Sequence, residues 1–483
     1  MRRPLALLAL STLLAAPLLA QDAPAPRKRS VIFFIGDGMG VSQVTLGRLA
    51  AQELDQPYQL DRFKVTGLAD TRSANSVVTD SAAAATALAT GLRTDNWKVG
   101  MTPDEAWHQT VLELAHVHGY RTGVVTTTRL THATPAGFTA HVKHRNLERE
   151  IAAQQVRGMV ERGFPHVLLG GGKRYLTDEL LSTVREVGYA VVTEPGELMA
   201  AEGERLVGVI STSHVPWRID RVEGMPTLAQ LTEKAVTTLA QGAAPFAVMV
   251  EGGRIDHAGH SHDAASMVHE QLDLDAAVGW ALDYAEAHPE VLVVVTADHA
   301  TGALGISERS EVAALLASKA SSESLLEGTK ELTAALKRLV PELLEADADT
   351  RALKLRELRA GDLLKGFEDR VAKAYDLALT DEELLEVFGD GDPYWQEMAL
   401  GHVLSQRRGC FFYPLHEAHT QLTGTHGHDG GAVPVFAFGP GAAAFGGLYE
   451  NRQIPLKIAE VLGLPKPGAT VEAGAQLQPA GQR

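Results

Sequence analysis

Carboxylate and imidazole side chains cluster at several predicted strand ends of this chain. They comprise four acids and three histidines, namely Asp37, Glu251, Asp256, His260, Asp298, His299 and His428. A single acid after a strand usually caps a turn or a helix, but such a set is hard to explain as caps. Adjacent carboxylates without cations would repel one another and raise their own pKa values. The pattern therefore indicates bound cations, with mixed histidine and carboxylate ligation suiting Zn²⁺ and all-oxygen ligation suiting Mg²⁺.

Ser81 lies where a predicted strand, VVTD, meets an alanine-rich predicted helix that Gly91 closes. From this segment alone, Asp80 or Ser81 is best interpreted as the helix N-cap. The N-terminus of a helix also offers free N–H groups and a positive dipole end, which stabilise an alkoxide and a phosphoryl group. The two interpretations are compatible, so Ser81 is a candidate nucleophile as well as a candidate cap.

The segment TRLTHATPAGFTAHVKHR, residues 128–145, contains His132 and Thr134 and ends with Arg145. A lone arginine is usually a solvated surface residue, but a guanidinium can also grip two phosphate oxygens at once. The formal net charge of the whole chain is -16. Such a chain repels polyanions, so we expect no nucleic-acid binding, and positive charge at a phosphate site must be local.

The elements that must position these residues alternate between strand and helix. Apolar, β-branched runs predict strands at VIFFI, RTGVVTTT, HVLLGGG, AVMVEGG, VLVVVTADH and VPVFAFGPG, besides VVTD. Amphipathic stretches between them predict helices. The expected fold is an α/β three-layer sandwich, with a mostly parallel central sheet and helices on both faces. Ligands gather at the carboxyl ends of the strands in such sheets.

The first 20 residues, MRRPLALLALSTLLAAPLLA, combine a basic start, an apolar run broken by Pro17 and small residues near Ala20. They predict a signal peptide cleaved near Ala20, with a membrane anchor as the alternative. Residues 21–30 are expected to be a connector. After cleavage we expect a periplasmic or secreted protein without a membrane segment.

The rest of the chain is expected to form a domain at 31–464 and a loosely ordered tail at 465–483. Within the domain, residues 307–408 are rich in Leu, Ala, Glu and Lys and contain no convincing strand. They predict a helical insertion. The chain has one cysteine, Cys410, which excludes an intrachain disulfide and is expected to be a buried bystander.

Taken together, these segments resemble the alkaline phosphatase family. Six motifs occur in family order from about residue 31 to 450: FFIGDGMG, VTDSAAAATALATG, THATPAGFTAH followed by Arg145, VEGGRIDHAGH, VVTADH and GHDGGAVPVFAFGPGA. Any one of them alone is weak, whereas six in order form a strong signal. The resemblance implies an enzyme that hydrolyses small phosphate monoesters to alcohol and phosphate through a phosphoserine, commonly as a homodimer.

The resemblance also implies a role for each matched residue. Ser81 would be the nucleophile, and Arg145 would hold two phosphate oxygens. Two zinc ions and one magnesium ion are implied. Their ligands would be Asp256, His260 and His428 for the first zinc, Asp37, Asp298 and His299 for the second zinc, and Asp37, Thr134 and Glu251 for the magnesium.

Two parts of this assignment stay open in the sequence. The segment THGHDGG contains both His426 and His428, and the spacing to the following Gly-Pro pair favours His428. His132 and His257 occupy positions that vary in the family, and their imidazoles would bring nitrogen ligands to the magnesium site. Another divalent ion is therefore an alternative to Mg²⁺ there.

Two other functions fit part of the pattern. A phosphodiesterase or sulfatase of the same superfamily would share the zinc ligands, although diesterases usually lack the arginine and the third metal. A periplasmic phosphate- or metal-binding protein would need the acids and histidines but no serine nucleophile. Ser81 at a helix start, together with a full ligand set, favours the phosphomonoesterase.

Overall fold

The structure is a computed structural model that describes residues 28–389, 392–413 and 427–471. The predicted signal peptide, most of the predicted connector and the end of the predicted tail lie outside the described residues, as does His426. Among the helices of the described ranges, none is long and apolar enough to cross a membrane.

Ten strands form a central sheet, and six short strands form three two-stranded ladders within the described ranges. In chain order the strands are β1 (Ser30–Gly36), β2 (Val65–Asp70), β3 (Trp107–His108), β4 (Arg121–Arg129), β5 (Val167–Gly171), β6 (Ala190–Val192), β7 (Leu206–Val209), β8 (Phe246–Gly252), β9 (Val291–Ala297), β10 (Ala300–Thr301), β11 (Gly305–Ile306), β12 (Cys410–Phe411), β13 (His428–Asp429), β14 (Val433–Phe438), β15 (Gly447–Glu450) and β16 (Thr470–Val471). The sheet order is β15-β2-β14-β9-β1-β8-β4-β5-β7-β6. Strand β14 runs antiparallel to both of its neighbours, and the other neighbouring pairs are parallel.

The register of the three central strands brings predicted site residues to one edge of the sheet. Strands β1, β8 and β9 are buried throughout, as continuous apolar runs covered on both faces must be. Ile35 of β1 is aligned with Glu251 of β8, and the last residues of β1 and β9 are aligned with each other. Asp37 and Asp298, which directly follow β1 and β9, therefore emerge beside Glu251.

Helices cover both faces of this sheet. In chain order they are α1 (Val41–Glu53), α2 (Ser81–Thr90), α3 (Val111–Val117), α4 (Ala133–Gly137), α5 (Glu148–Arg162), α6 (Asp178–Glu186), α7 (Pro195–Leu198), α8 (Leu228–Leu239), α9 (Arg254–His260), α10 (Ala264–Ala287), α11 (Val312–Ala317), α12 (Ser322–Leu326), α13 (Lys330–Glu345), α14 (Ala348–Arg359), α15 (Asp362–Tyr375), α16 (Asp381–Phe388), α17 (Pro393–Arg407) and α18 (Gln453–Leu462). Helices α1, α8 and α10 pack together on one side, and α2, α3 and α18 pack together on the other. The predicted α/β fold class is confirmed.

The predicted strand at VVTD is wrong, because residues 77–80 join no sheet. Val77 leaves 77% of its surface exposed. A side chain satisfies this backbone instead: Asn96 Nδ2 donates to Val78 O at 3.1 Å, and the N–H of Asp80 donates to Asn96 Oδ1 at 3.1 Å. The segment that leads into Ser81 is therefore a loop. The sheet position between β14 and β15 belongs to β2, a strand that was not predicted from the sequence.

Helices α11–α17 occupy the region of the predicted helical insertion, and the antiparallel pair β11 and β12 closes its base. The region has its own apolar core, in which the rings of Phe367 and Phe388 meet edge to face at 5.1 Å. Leu46 of α1 and Met267 of α10 belong to the same core, so the helical region packs directly on the sheet-covering helices. Cys410 is buried and free.

The chain after α18 is ordered beyond the predicted start of the tail. Strand β16 pairs antiparallel with β3. The N–H of Gln109 donates to Ala469 O at 2.9 Å, and His108 Nδ1 bonds with Gly468 O at 2.9 Å. These ladder bonds hold the chain as far as Val471, where the described residues end.

Candidate active site

Ser81 is the first residue of α2, and its side chain faces the predicted metal ligands. Asp80 caps the helix by accepting the N–H of Ala83 at 3.0 Å, which settles which of the two residues is the cap. Small residues allow α2 and α4 to approach closely: Ala85 of α2 faces Gly137 of α4. A Cβ on Gly137 would lie only 2.8 Å from Ala85 Cβ. Ser81 is buried, and its Oγ lies 3.2 Å from Nε2 of His299.

Asp37, Asp298 and His299 form the first group of candidate ligand atoms, beside Ser81, and all three side chains are fully buried. His299 Nε2 lies 3.4 Å from Asp37 Oδ1 and 3.3 Å from Asp298 Oδ2. Burial and the nearby carboxylates raise the pKa of Asp37 well above its ordinary value, and raise that of Asp298 to about 8. Negative charge in this group is therefore costly without a cation.

The protonation of His299 follows from its contact with Thr301. The Thr301 hydroxyl has one proton, which it donates to Asp256 Oδ1 at 2.6 Å, so it accepts from His299 Nδ1 at 3.1 Å. Burial and the neighbouring His428 hold the pKa of His299 well below its ordinary value, so the ring is neutral. Its Nε2 then carries a lone pair directed toward Ser81 and two carboxylates, an arrangement that a metal ion would stabilise.

A second group, formed by Asp256, His260 and His428, lies beside this first group. Asp256 and His260 share one face of α9 at i and i+4. His260 Nε2 is 3.4 Å from Asp256 Oδ2, and His428 Nε2 is 3.5 Å from Asp256 Oδ1 and 3.2 Å from His260 Nε2. His428 Nδ1 bonds with Thr79 O at 2.9 Å, which directs Nε2 into the site. The ring of His428 stacks on that of His299 at 3.6 Å, so the two groups are contiguous.

A third group joins Asp37 to Glu251 and His132. Glu251 Oε2 accepts from Thr126 and, at 3.2 Å, from Thr128, while burial raises the pKa of Glu251 to about 7. The Thr134 hydroxyl, predicted to join this group, donates to Asp37 Oδ2 at 3.2 Å. The group therefore contains one imidazole in an otherwise oxygen-rich set.

His257 lies near the third group but outside it. Its ring is 5.4 Å from that of His132 and 4.4 Å from that of His214, a residue that the sequence analysis did not single out. Arg254 Nη1 donates to His257 Nδ1 at 2.9 Å. An arginine cannot accept, so a neutral His257 carries its proton on Nε2, which is then a donor rather than a metal ligand.

Arg145 is held over the start of α2. Its Nη1 lies 3.2 Å from Asp80 Oδ2, and its Nη2 lies 3.2 Å from His132 Nε2. A cavity of about 240 Å³ is lined by Arg145, Asp80 and His132 and by the partly buried His260 and His428, among others. The cavity therefore gives a small anion access to the guanidinium and to the metal-ligand groups together.

The unpaired carboxylate oxygens of the site indicate divalent cations, independently of the distances between the side chains. Within the described ranges, three buried carboxylate oxygens have no hydrogen-bond partner: Asp37 Oδ1, Glu251 Oε1 and Asp298 Oδ2. Buried polar atoms of this kind are rarely left unpaired. One such oxygen in each of three strand-end residues, together with neutral imidazoles, matches what zinc or magnesium ligands require.

The threonines that orient the candidate ligands were not predicted from the sequence. Thr126 and Thr128 lie two positions apart on β4, and both donate to Glu251. The sequence signal for this pair is the TTT run, because residues two apart on a strand face the same side. Thr301 had no such signal, because its partner Asp256 lies 45 positions away in the chain. His214 and Arg129, which contact each other beside His132, were also missed.

Comparison with known proteins agrees with this geometry. The family model "Alkaline phosphatase" matches residues 28–464. Alkaline phosphatase 3 of Bacillus subtilis (strain 168) is 31% identical over 448 residues, which cover 90% of this chain and 89% of that protein. The cold-active alkaline phosphatase of Shewanella sp. aligns with a TM-score of 0.73 and 29% identity over 90% of this chain and 99% of that chain. The alkaline phosphatase of Thermus thermophilus aligns with a TM-score of 0.75 and 26% identity over 92% of this chain and 93% of that chain. The chain therefore belongs to the alkaline phosphatase family.

Proposed function

We propose that this phosphoric monoester hydrolase transfers the phosphoryl group of its substrate first to Ser81 and then to water. One observation carries the proposal: Ser81 Oγ lies 3.2 Å from His299 Nε2, which itself faces Asp37 and Asp298 at 3.4 and 3.3 Å. A serine hydroxyl at a helix N-terminus, beside buried carboxylates that need a cation, is suited to act as an activated nucleophile.

The chain's own residues support both steps. In the first step Ser81 Oγ bonds to phosphorus, the bond to the leaving oxygen breaks, and the serine proton is balanced by protonation of the departing alcohol. In the second step water attacks phosphorus, which releases phosphate and restores the hydroxyl. The positive end of α2 and the Arg145 guanidinium stabilise the phosphoryl oxygens in both steps. Asp80 keeps Arg145 at the start of α2.

We propose that two zinc ions occupy the first two groups. Their ligands are Asp37, Asp298 and His299 for one ion, and Asp256, His260 and His428 for the other. When bound, the ions supply Lewis-acid stabilisation of negative charge on the attacking and leaving oxygens. The stacked rings of His299 and His428 support this proposal, because they join the group beside Ser81 to the group on α9.

The third group takes a further divalent ion, held by Asp37, Thr134 and Glu251. The nitrogen of His132 makes this group softer than the all-oxygen set that Mg²⁺ prefers. We therefore propose that the third site accepts a transition-metal ion as well as Mg²⁺. His257 acts there as a hydrogen-bond donor, because Arg254 occupies its Nδ1.

Substitution of Ser81 tests the proposal. Ser81→Ala is expected to lose nearly all turnover of p-nitrophenyl phosphate while its zinc content equals that of the wild type. Ser182→Ala, an exposed serine on α6, is the matched control and should keep both. Full turnover in Ser81→Ala would contradict the nucleophile assignment. Faster hydrolysis of bis-p-nitrophenyl phosphate than of the monoester would instead favour a diesterase.

Export is proposed from the predicted signal peptide at residues 1–20. Expression of the full chain in a bacterial host is expected to give a periplasmic or secreted protein whose N-terminus lies near Ala20. N-terminal sequencing of the fractionated protein measures this. Recovery of the intact leader in the membrane fraction would favour the anchor instead.

A homodimer is proposed from the family resemblance and an exposed apolar groove. Val41, Leu68 and Leu448 line this groove beside the edge strand β15 and are exposed by 54%, 41% and 73%. Contiguous exposed apolar surface commonly marks an interface. Leu448→Glu is expected to reduce the mass measured by light scattering from dimer to monomer, whereas Leu363→Glu, an exposed leucine of α15, should not. A monomeric wild type would contradict the proposal.

A further inference from the structure

Helix α9, which carries Asp256 and His260, is held at its N-terminus by the helical region between β11 and β12, here called the helical insertion. Arg254, the first residue of α9, is buried and stacks on Trp217 at 3.5 Å. Its Nη2 lies 3.2 Å from Glu323 Oε2 on α12 of the insertion. Trp217 Nε1 donates to the same carboxylate, so Glu323 fixes both members of the stacked pair.

The C-terminal end of α9 is held by α17 of the insertion. The turn from Ser261 to Asp263 connects α9 to α10, and its central residue, His262, has φ 52°, a left-handed conformation that non-glycine residues seldom adopt. Ser405 of α17 donates to His262 O at 2.7 Å and accepts the N–H of Ala264 at 2.9 Å. One insertion hydroxyl thus bonds the carbonyl of the strained residue and the first N–H of α10.

The backbone of α17 also touches this turn directly. A Cβ at Gly401 would lie 2.0 Å from Ser261 O and 3.2 Å from Asp263 N, so only glycine permits the approach. Ser261 Oγ donates to Glu397 on the same helix. From α12, the N–H of Ser322 donates to Asp263 Oδ2 at 2.8 Å. Two helices of the insertion therefore bind the three residues that follow His260.

We propose that the helical insertion is a positioning element for α9 and thereby sets the affinity for the ion held by Asp256, His260 and His428. This inference rests on the proposed function, which places an ion in that group. Asp37 and Asp298 differ, because they directly follow β1 and β9 and take their position from the central sheet. The insertion consequently controls the retention of one ion and leaves the other unaffected.

Two pairs of variants within the insertion test this assignment. Gly401→Ala introduces the clash at Ser261, whereas Gly366→Ala, in the middle of α15, meets no atom within 4 Å. Ser405→Ala removes the two bonds to the turn, whereas Ser318→Ala removes only a bond to Ala314 O inside α11. The two variants of each pair have the same chemical change. They differ only in whether the substituted residue contacts the turn after α9.

The measurement is zinc retained per chain after dialysis against graded chelator, well below the melting temperature. Gly401→Ala is expected to release one of its two zinc ions at roughly 10-fold lower chelator than Gly366→Ala, as is typical when a ligand's support is lost. The second ion should leave at the wild-type chelator concentration. Ser405→Ala should shift the same ion in the same direction by a smaller factor, and it tests the inference alone if Gly401→Ala does not fold.

The possible outcomes separate this inference from the proposed function. A purely structural role would lower the melting temperature and leave the ratio of the two release points unchanged, which would overturn the inference. Equal shifts of both ions, or release curves identical to those of the controls, would also overturn it. A folded wild type that retains no zinc would overturn the proposed function instead.

Discussion

Replacing Thr301 by valine tests how the two proposed zinc groups are connected. Thr301 is fully buried, and its hydroxyl bonds both Asp256 of one group and His299 of the other. Valine preserves the shape of the side chain and removes both bonds. We expect His299 to lose the partner that keeps its proton on Nδ1 and its Nε2 lone pair available.

The magnitude follows from the two bonds. A hydrogen bond to a charged group contributes about 1.5–3 kcal/mol, and about 1.4 kcal/mol corresponds to a factor of ten in affinity. Loss of a residue that orients a metal ligand typically costs about 10–100-fold in metal affinity. Thr301→Val is therefore expected to bind zinc roughly 10–100-fold more weakly in both groups.

The assay is chelator titration of zinc content, with phosphatase activity measured at saturating zinc. Thr301→Ser keeps the hydroxyl and should restore most of the affinity. Thr232→Val is the matched control, because that buried threonine donates only to Leu228 O, at 2.8 Å, within α8. If Thr301→Val and Thr232→Val release zinc at the same chelator concentration, the reasoning about the His299 proton is wrong.

Three further predictions concern pH, metal removal and the arginine. Glu113 and His141 form a buried pair 3.3 Å apart; despite its burial, Glu113 has its pKa lowered from 4.5 by His141, and His141 has its pKa raised from 6.5 by Glu113. The stability that Glu113 contributes is lost as pH falls through its folded pKa, and the stability that His141 contributes is lost as pH rises through its folded pKa. Glu113→Gln should therefore lower the melting temperature most between pH 4.5 and pH 6.5. In metal-free protein, Asp298 and Glu251 have pKa values raised to about 8 and about 7. These two groups bind more protons in the folded state than in the unfolded state, so without metal the melting temperature should fall as pH rises from about 5 to 8. With zinc bound it should not fall in this way. Parallel curves of melting temperature against pH, with and without zinc, would contradict this. Arg145→Ala should lower kcat/KM by roughly 10–100-fold and weaken phosphate inhibition, since charge-assisted bonds contribute about 1.5–3 kcal/mol, while exposed Arg149→Ala should change neither.

The sequence predicted those site residues whose position follows from sheet geometry. Asp37, Glu251 and Asp298 end or follow apolar strand runs, and parallel strands end at one edge, so their proximity was predictable. The position of Ser81 at the start of a helix that Gly91 closes was predictable from capping signals, and Gly91 adopts φ 77°. In both cases the signal is local, or repeats along a regular element.

Contacts between distant segments were not predictable in the same way. The VVTD run has the composition of a strand, but Asn96 binds its backbone and the loop stays outside the sheet. Thr301 and His214 are ordinary residues until the fold brings them beside Asp256 and His132. The helical insertion was predicted from composition, whereas its contact with α9 depends on Gly401 and Ser405, which no helical periodicity distinguishes.

The most direct test of the account is anomalous diffraction at the zinc absorption edge from crystals of the zinc-loaded protein. The account predicts two strong peaks flanking Ser81. One should lie within ligand distance of Asp37, Asp298 and His299, and the other within ligand distance of Asp256, His260 and His428. Zinc peaks only at other side chains, or none within reach of the Ser81 hydroxyl, would contradict it.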